Sequence, residues 1–244
     1  MGAAGASLTA PGDPRLRLVA AVVAVAAISL LQTLPVAAAA LVVAALVALL
    51  NRPDPRLWRR LLHVEGFLLL LFATLPFTVA GPSIATIGPL SVSGTGLWRA
   101  GLIALKVSAS VLVLLVLLGD LEPERLGAAL RALGVPERLC RLFVTTARYA
   151  TLLREEARRL GEAMRARGFH PRSNRHTWNS YGNLLGMILV RALERASRVE
   201  EAMLCRGYAG HYPYSSLASP RQRDWVAFAL VSGAAFLALV IDRL

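Results

Sequence analysis

Two pairs of adjacent carboxylates, four histidines and two cysteines are the side chains of this 244-residue chain best suited to acid–base, metal or thiol chemistry. Glu155–Glu156 and Glu200–Glu201 could work as general acid and base. Each pair, however, is interleaved with Arg at helical spacing, which is the pattern of i,i+4 surface pairing. His63 flanks an apolar run, and His170, His176 and His211 fall in polar connecting stretches. The spacing of His170 and His176 does not place them on one helical face, and Pro171 intervenes, which argues against a shared metal. Cys140 and Cys205 have no partners at metal-ligand spacing and form no disulfide framework. No glycine-rich loop ends in Gly-Lys-Ser/Thr, so the chain is not expected to hydrolyse ATP. Neither a catalytic residue nor a metal nor a cofactor is expected.

Recognition chemistry is a different matter. Glu162–Phe169 reads EAMRARGF, and thirty-nine residues later Glu201–Tyr208 reads EAMLCRGY. The match extends upstream, so that eight of fifteen positions are identical between Glu155–Phe169 and Glu194–Tyr208. Two units are too few for a stacked solenoid. In each, a long helix ends in a small residue, Arg, Gly and an aromatic: Ala166-Arg167-Gly168-Phe169 and Cys205-Arg206-Gly207-Tyr208. Gly in the left-handed conformation stops the helix and fixes the preceding Arg at its tip. A guanidinium fork there suits a carboxylate and carbonyl pocket in a partner, with Met164, Phe169, Met203 and Tyr208 as adaptable apolar support. The plainer alternative makes Arg167 and Arg206 dipole-matching caps only. It accounts for one tip but not for the repeated Glu, Ala, Met and aromatic together.

The elements that would carry these tips are set by hydropathy. The chain is 56% hydrophobic with a mean hydropathy of +0.55, above what soluble domains show. Apolar, nearly uncharged runs cover Leu16–Leu50, Leu61–Ala80, Leu97–Leu118 and Trp225–Ile241. A bilayer core takes about 20 helical residues. The first run, with Pro35 in its middle, reads as two helices joined by a turn at Gln32–Pro35, giving five spans; one long tilted helix plus an interfacial piece is the alternative. The run continues to Leu50 without a polar mature start, which favours an uncleaved helix over a signal peptide. Helical periodicity then predicts a short helix from Leu121-Glu122-Pro123-Glu124 to Gly134, a long one from Pro136 to Gly168, and another from near Ser180 to Gly207. Gly182 and Gly186 in the last could permit a close helix crossing or mark a frayed start. The fold class is therefore an all-α integral membrane protein. Its regions are 1–118 (membrane, about four spans), 119–224 (cytoplasmic coupling helices) and 225–244 (a last transmembrane helix).

Charge sets the orientation. Lys106 is the one lysine, so arginine carries the net +12. Residues 119–224 hold 18 Arg against 11 acidic residues, while Gly81–Leu97 has no basic residue. The positive-inside rule places the N-terminus and 119–224 in the cytoplasm. Nucleic-acid binding would also use a basic surface, but no binding motif or aromatic stacking pattern accompanies it. Within the spans, Glu65 sits near a boundary and Lys106 lies deeper, where it is expected to face other helices or a partner in place of lipid.

The doublet RARGF/LCRGY resembles the Ala-Arg-Gly signatures of T components of energy-coupling factor (ECF) transporters, nearest their CbiQ-like branch. Asp13-Pro14-Arg15, Leu130-Arg131-Ala132-Leu133-Gly134-Val135-Pro136, Thr146-Ala147-Arg148-Tyr149 and the stretch Leu189–Ala196 support it. Cys205 departs from the pattern where Ala is usual. The resemblance implies a non-enzymatic membrane scaffold that joins a substrate-binding (S-type) membrane subunit to two cytoplasmic ABC-type ATPases. It further implies that Ala166, Arg167, Gly168 and Cys205, Arg206, Gly207 each dock in one ATPase groove. Two similar grooves would then explain two similar tips. Cobalt or nickel uptake is the implied task, with vitamin uptake as the alternative within the family. A self-sufficient secondary permease is the competing class; it should bury several ionisable residues in its spans, and this sequence offers few.

Overall fold

The computed structural model describes residues 11–51, 55–79, 82–87, 90–208 and 218–243, with backbone alone at 55–65, 67, 83–87 and 90–92. His63, Glu65 and His211 lie outside the described side chains. Contacts divide the chain into two compact units, one of residues 1–121 with 217–244 and one of 122–216.

The first unit is a bundle of α1 (Pro14–Leu30), α2 (Leu34–Leu50), α3 (Pro55–Thr78), α4 (Gly94–Leu118) and α8 (Gln222–Arg243). The apolar run 16–50 is divided at Leu31–Thr33, and Pro35 occupies the first turn of α2, where its missing N–H costs nothing. α4 is the hub that packs against α1, α2 and α3, while α8 lies along α1. The interfaces are lined by alanines: Ala20, Ala21, Ala37, Ala44, Ala48, Ala100 and Ala109 are all buried. Small residues let helix backbones approach where no hydrophobic difference from lipid drives association. The tightest approach is at Gly96, where a Cβ would stand 2.8 Å from the Leu75 carbonyl oxygen and the Pro76 Cα of α3. α4 and α8 are long and apolar enough to cross a membrane, and α2 is a shorter apolar helix. The α3–α4 connection contains an antiparallel hairpin of β1 (Ser83–Ile87) and β2 (Leu90–Ser93).

Charged side chains finish the helix ends of this unit. Asp224 of α8 accepts from the Gly12 N–H at 2.6 Å, just before α1 begins. At the other end of α8, the Asp242 carboxylate accepts from the Gln32 and Thr33 N–H groups at 2.7 and 2.9 Å and from the Thr33 hydroxyl at 2.6 Å. Thr33 is the N-cap of α2 and makes no side-chain cap of its own; Asp242 instead engages its N–H and hydroxyl from another helix. Lys106 donates to the Ser29 carbonyl in the last turn of α1 at 3.0 Å. It thus faces a neighbouring helix, at the negative end of that helix's dipole.

The second unit holds α5 (Pro123–Ala132), α6 (Glu137–Ala166) and α7 (Arg175–Cys205). α5 packs Gly127, Ala128 and Ala129 onto the buried Cys140 and Val144 of α6. Gly127 is required there, since a Cβ would run into the Val144 methyl. α7 begins at Arg175, before the Ser180 expected, because the Asn174 side chain accepts from Thr177 N–H at 2.9 Å and caps the helix early. Gly182 and Gly186 therefore lie well inside α7. Nothing stands within 4 Å of a Cβ at either, so neither mediates a close crossing within the described residues.

Replacing Asp242 by Ala leaves two backbone N–H groups without their acceptor, at a cost of about 1–3 kcal/mol each if no water reaches them. The expected result is a lower thermal unfolding midpoint for the purified variant in detergent than for the wild type. An unchanged midpoint would mean that the Asp242 contacts do not help to hold α8.

Candidate functional site

Both Arg-Gly tips end their helices by the same hydrogen-bond pattern. Gly168 and Gly207 adopt φ of +82° and +77°. The Gly168 N–H reaches the Arg165 carbonyl at 3.0 Å, and the Phe169 N–H reaches that of Met164 at 3.1 Å. At the second tip, Gly207 bonds to Leu204 at 2.9 Å and Tyr208 to Met203 at 3.0 Å. This is the Schellman arrangement, in which the residue after the left-handed glycine is placed over the third residue from the helix end. Met and the aromatic therefore recur for a local reason: they stand at the two positions where such caps commonly make an apolar contact. The last helical residues are Ala166 and Cys205, and Arg167 and Arg206 are the caps, one step earlier than the glycines at which the sequence pattern places the ends.

The four support residues and the two arginines part company in exposure. Met164, Phe169, Met203 and Tyr208 are half-buried, whereas Ala166, Arg167, Gly168, Cys205, Arg206 and Gly207 are exposed. Phe169 meets Tyr181 of α7 edge-on, with ring centroids 5.7 Å apart. The Arg141 guanidinium of α6 lies over the Tyr208 ring at 5.5 Å. The aromatics thus brace each tip against the opposite helix. Arg167 and Arg206 make no hydrogen bond or ion pair among the described residues, so both forks are unengaged.

These contacts fix the course of the pair. Phe169 meets Tyr181, Glu156 meets Arg191 and Arg195, and Arg141 meets Tyr208, so α6 and α7 run antiparallel along their whole length. The tips are not brought together. They stand at opposite ends of one strut, separated by the 25 residues from Arg141 to Ala166, on the order of 35–40 Å at about 1.5 Å per residue. An antiparallel pair built from two copies of one motif has an approximate two-fold axis through its centre. Glu156 and Arg195 hold equivalent positions in the repeat, thirty-nine residues apart, and they meet there.

Glu156 is the residue whose partners local sequence reasoning misplaced. Glu155 does pair along its own helix, with Arg158 at 3.2 Å and Arg159 at 3.1 Å, and those hydrogen bonds, that from Arg159 first, hold its carboxyl below the usual range. Glu156 instead crosses to α7, accepting from Arg191 at 2.7 Å and pairing with Arg195 at 3.4 Å. Its side chain is 18% exposed, and the Arg191 hydrogen bond, above all, holds its carboxyl below the ordinary value of 4.5. The signal was present in the repeat, as an acid in one copy aligned with a base in the other.

Among the described residues no three His, Cys, Asp or Glu are grouped so as to hold a metal ion. Cys140 is buried and Cys205 exposed at its tip, and both are free.

A family model described as cobalt transport protein, CbiQ, matches residues 9–215, which is most of the chain. The chain belongs to the CbiQ family. The match covers both tips. Two relatives agree with it. Cobalt transport protein CbiQ of Rhodobacter capsulatus is 29% identical over 136 residues, covering 54% of this chain and 55% of that protein. Energy-coupling factor transporter transmembrane protein EcfT of Leuconostoc gelidum subsp. gasicomitatum is 27% identical over 214 residues, covering 82% and 79%. The chain thus spans about half the length of the first of these relatives and most of the second. Both are transport proteins by name.

Because the folded-state pKa of Glu156 is depressed, its contribution to the α6–α7 pairing is complete above about pH 4.5 and is lost as pH falls through the lowered value. Glu156→Gln removes this dependence. Spin labels on α6 and α7 should report a separation that widens in acid for the wild type and is already broadened, and flat with pH, in the variant. Identical distance distributions at neutral pH would show that the clamp does not hold the pair.

Proposed function

We propose that this CbiQ-family chain is the transmembrane coupling (T) subunit of an ECF-type importer, joining two cytoplasmic ABC-type ATPases to a substrate-binding membrane subunit. One observation supports this reading above the others. Two like-capped tips, each with an unengaged guanidinium, stand at opposite ends of one antiparallel helix pair with an approximate two-fold relation. A dimeric ATPase offers two like grooves about its own two-fold axis, so one strut addresses both. The EcfT relative's name supports the coupling role, and the cobalt transport protein's name supports cobalt, or chemically similar nickel, as the cargo. The metal would be held by the substrate-binding subunit.

In this reading α1–α4 and α8 are five spans, the N-terminus and 119–224 face the cytoplasm, and 1–118, 119–224 and 225–244 divide the labour as membrane anchor, coupling region and closing span. The docking residues are Ala166, Arg167 and Gly168 for one ATPase and Cys205, Arg206 and Gly207 for the other. Arg supplies charge-assisted hydrogen bonds, Gly fixes its direction, and the small residue before Arg lets the groove close over the tip. Phe169, Tyr208, Met164 and Met203 act from behind, holding the tips in place. Hydrolysis in the ATPase dimer would displace the strut as a braced unit and carry that displacement to the membrane partner.

Arg167→Ala or Arg206→Ala should weaken ATPase retention about 10- to 150-fold, the equivalent of losing a charge-assisted contact worth about 1.5–3 kcal/mol, without changing membrane insertion. The double variant should lose more than either single one, because each tip raises the effective concentration of the other's groove. Co-purification of the ATPases, together with uptake of labelled cobalt by cells expressing the full complex, checks this. If the double variant retains its ATPases and transports at wild-type levels, the arginines are helix caps only.

A further inference from the structure

The membrane unit contains an apolar groove of about 1120 Å³ that the coupling role does not use. Its floor is Ala27 and Ile28 of α1 with Val116 of α4, and its walls are α2 (Ala39, Val43) and α8 (Leu230, Ala234). It follows α8 from Arg223 to Ile241, about 27 Å at roughly 1.5 Å per residue. One end closes on the Asp242 contact with Gln32 and Thr33. The other end is framed by Gln222 and Arg223.

Lining and charge decide what fits. The lining is aliphatic along nearly the whole groove, which suits extended hydrocarbon chains. Charge then selects the head. Arg223 is exposed and has no hydrogen bond or ion pair among the described residues. Arg15, Arg17 and Arg221 belong to the same end, which the Gly12–Asp224 bond ties together. The acids there are already committed to backbone N–H groups: Asp13 to Arg15, and Asp224 to Gly12 and Arg221. The remaining field is positive. Asp242 at the closed end carries the opposite sign.

We propose that this groove is a binding site for an anionic phospholipid, with its acyl chains lying between α2 and α8 and its phosphate on Arg223. Basic sites between transmembrane helices take anionic headgroups in this way. A bound lipid would fill the space between two helices that otherwise share little contact, and so tie α8 to α2 as well as to α1.

The test uses the full chain in detergent, with dioleoyl phosphatidylglycerol or dioleoyl phosphatidylcholine added and retention read by native mass spectrometry. The wild type should keep phosphatidylglycerol about tenfold more tightly than phosphatidylcholine. Arg223→Ala should bring the two lipids level, while Arg198→Ala, an exposed α7 residue that does not line the groove, should keep the preference. Ala234→Trp, which fills the groove wall, should reduce retention of both; Arg223→Ala keeps the test decisive should that variant fold poorly. Equal retention of the two lipids by the wild type would overturn the proposal. So would an Arg223→Ala protein that still prefers phosphatidylglycerol, or cysteines in the groove that cross-link to a partner helix in the assembled transporter in place of lipid retention.

Discussion

Every α-helix leaves four carbonyls at one end and four N–H groups at the other without partners inside the helix, and inside a bilayer no water replaces them. The fold depends on how those ends are satisfied. The reversal between α1 and α2 occupies only Leu31–Thr33, so it exposes a carbonyl end and an N–H end side by side. Lys106 from α4 attends to the first and Asp242 from α8 to the second. Two charges that would be costly alone in an apolar bundle are each matched to a backbone end of the opposite polarity. In doing so they fix where α4 and α8 must lie. The alanine-lined contacts then follow, since helices held at both ends by hydrogen bonds can pack closely on small side chains.

The other unit solves the same problem by the opposite means. α5, α6 and α7 each end in a glycine of positive φ, at Gly134, Gly168 and Gly207, and the backbone caps itself. The amides that follow each helix bond back to its last carbonyls. This separates the tips from ordinary C-terminal arginines, which gain stability by staying near the helix end. Here the Schellman bonds already meet that need, and Arg167 and Arg206 are left available for a partner. Bracing is handled separately, by Phe169 on Tyr181 and by Tyr208 under Arg141. In the proposed docking, rigidity and recognition would thus rest on different residues of the same short motif.

Much of this was legible in the sequence because it is periodic or local. Apolar runs, Pro35 at a helix start and Gly after Arg each report on their immediate neighbours. The family resemblance and the helical membrane character rested on such signals. What sequence could not show depends on register between elements. Asp242 looks like a polar helix end, and only the parallel course of α8 along α1 brings it to Thr33. Lys106 was expected to face another helix, but its carbonyl partner is a property of the packing. The hairpin at 83–93 is too short to leave a periodic signal of its own. The early start of α7 was missed for a more local reason: the Asn174 cap was overlooked in favour of the glycines downstream.

Glu156 shows why the repeat is imperfect where it is. When two copies of a helix pack antiparallel, positions far from the axis meet different partners, and those at the axis meet their own equivalents. Identical charged residues at the axis would repel, so the copies must differ there even if they agree everywhere else. Glu156 in one copy and Arg195 in the other meet that condition, and Arg191 strengthens it. The tips lie farthest from the axis and never meet, so nothing internal prevents them from staying alike. A partner with two equivalent grooves would favour their likeness. The Arg-Gly doublet at the two tips, with an acid facing a base at the axis, is what the proposed docking on a two-fold partner would ask of the strut.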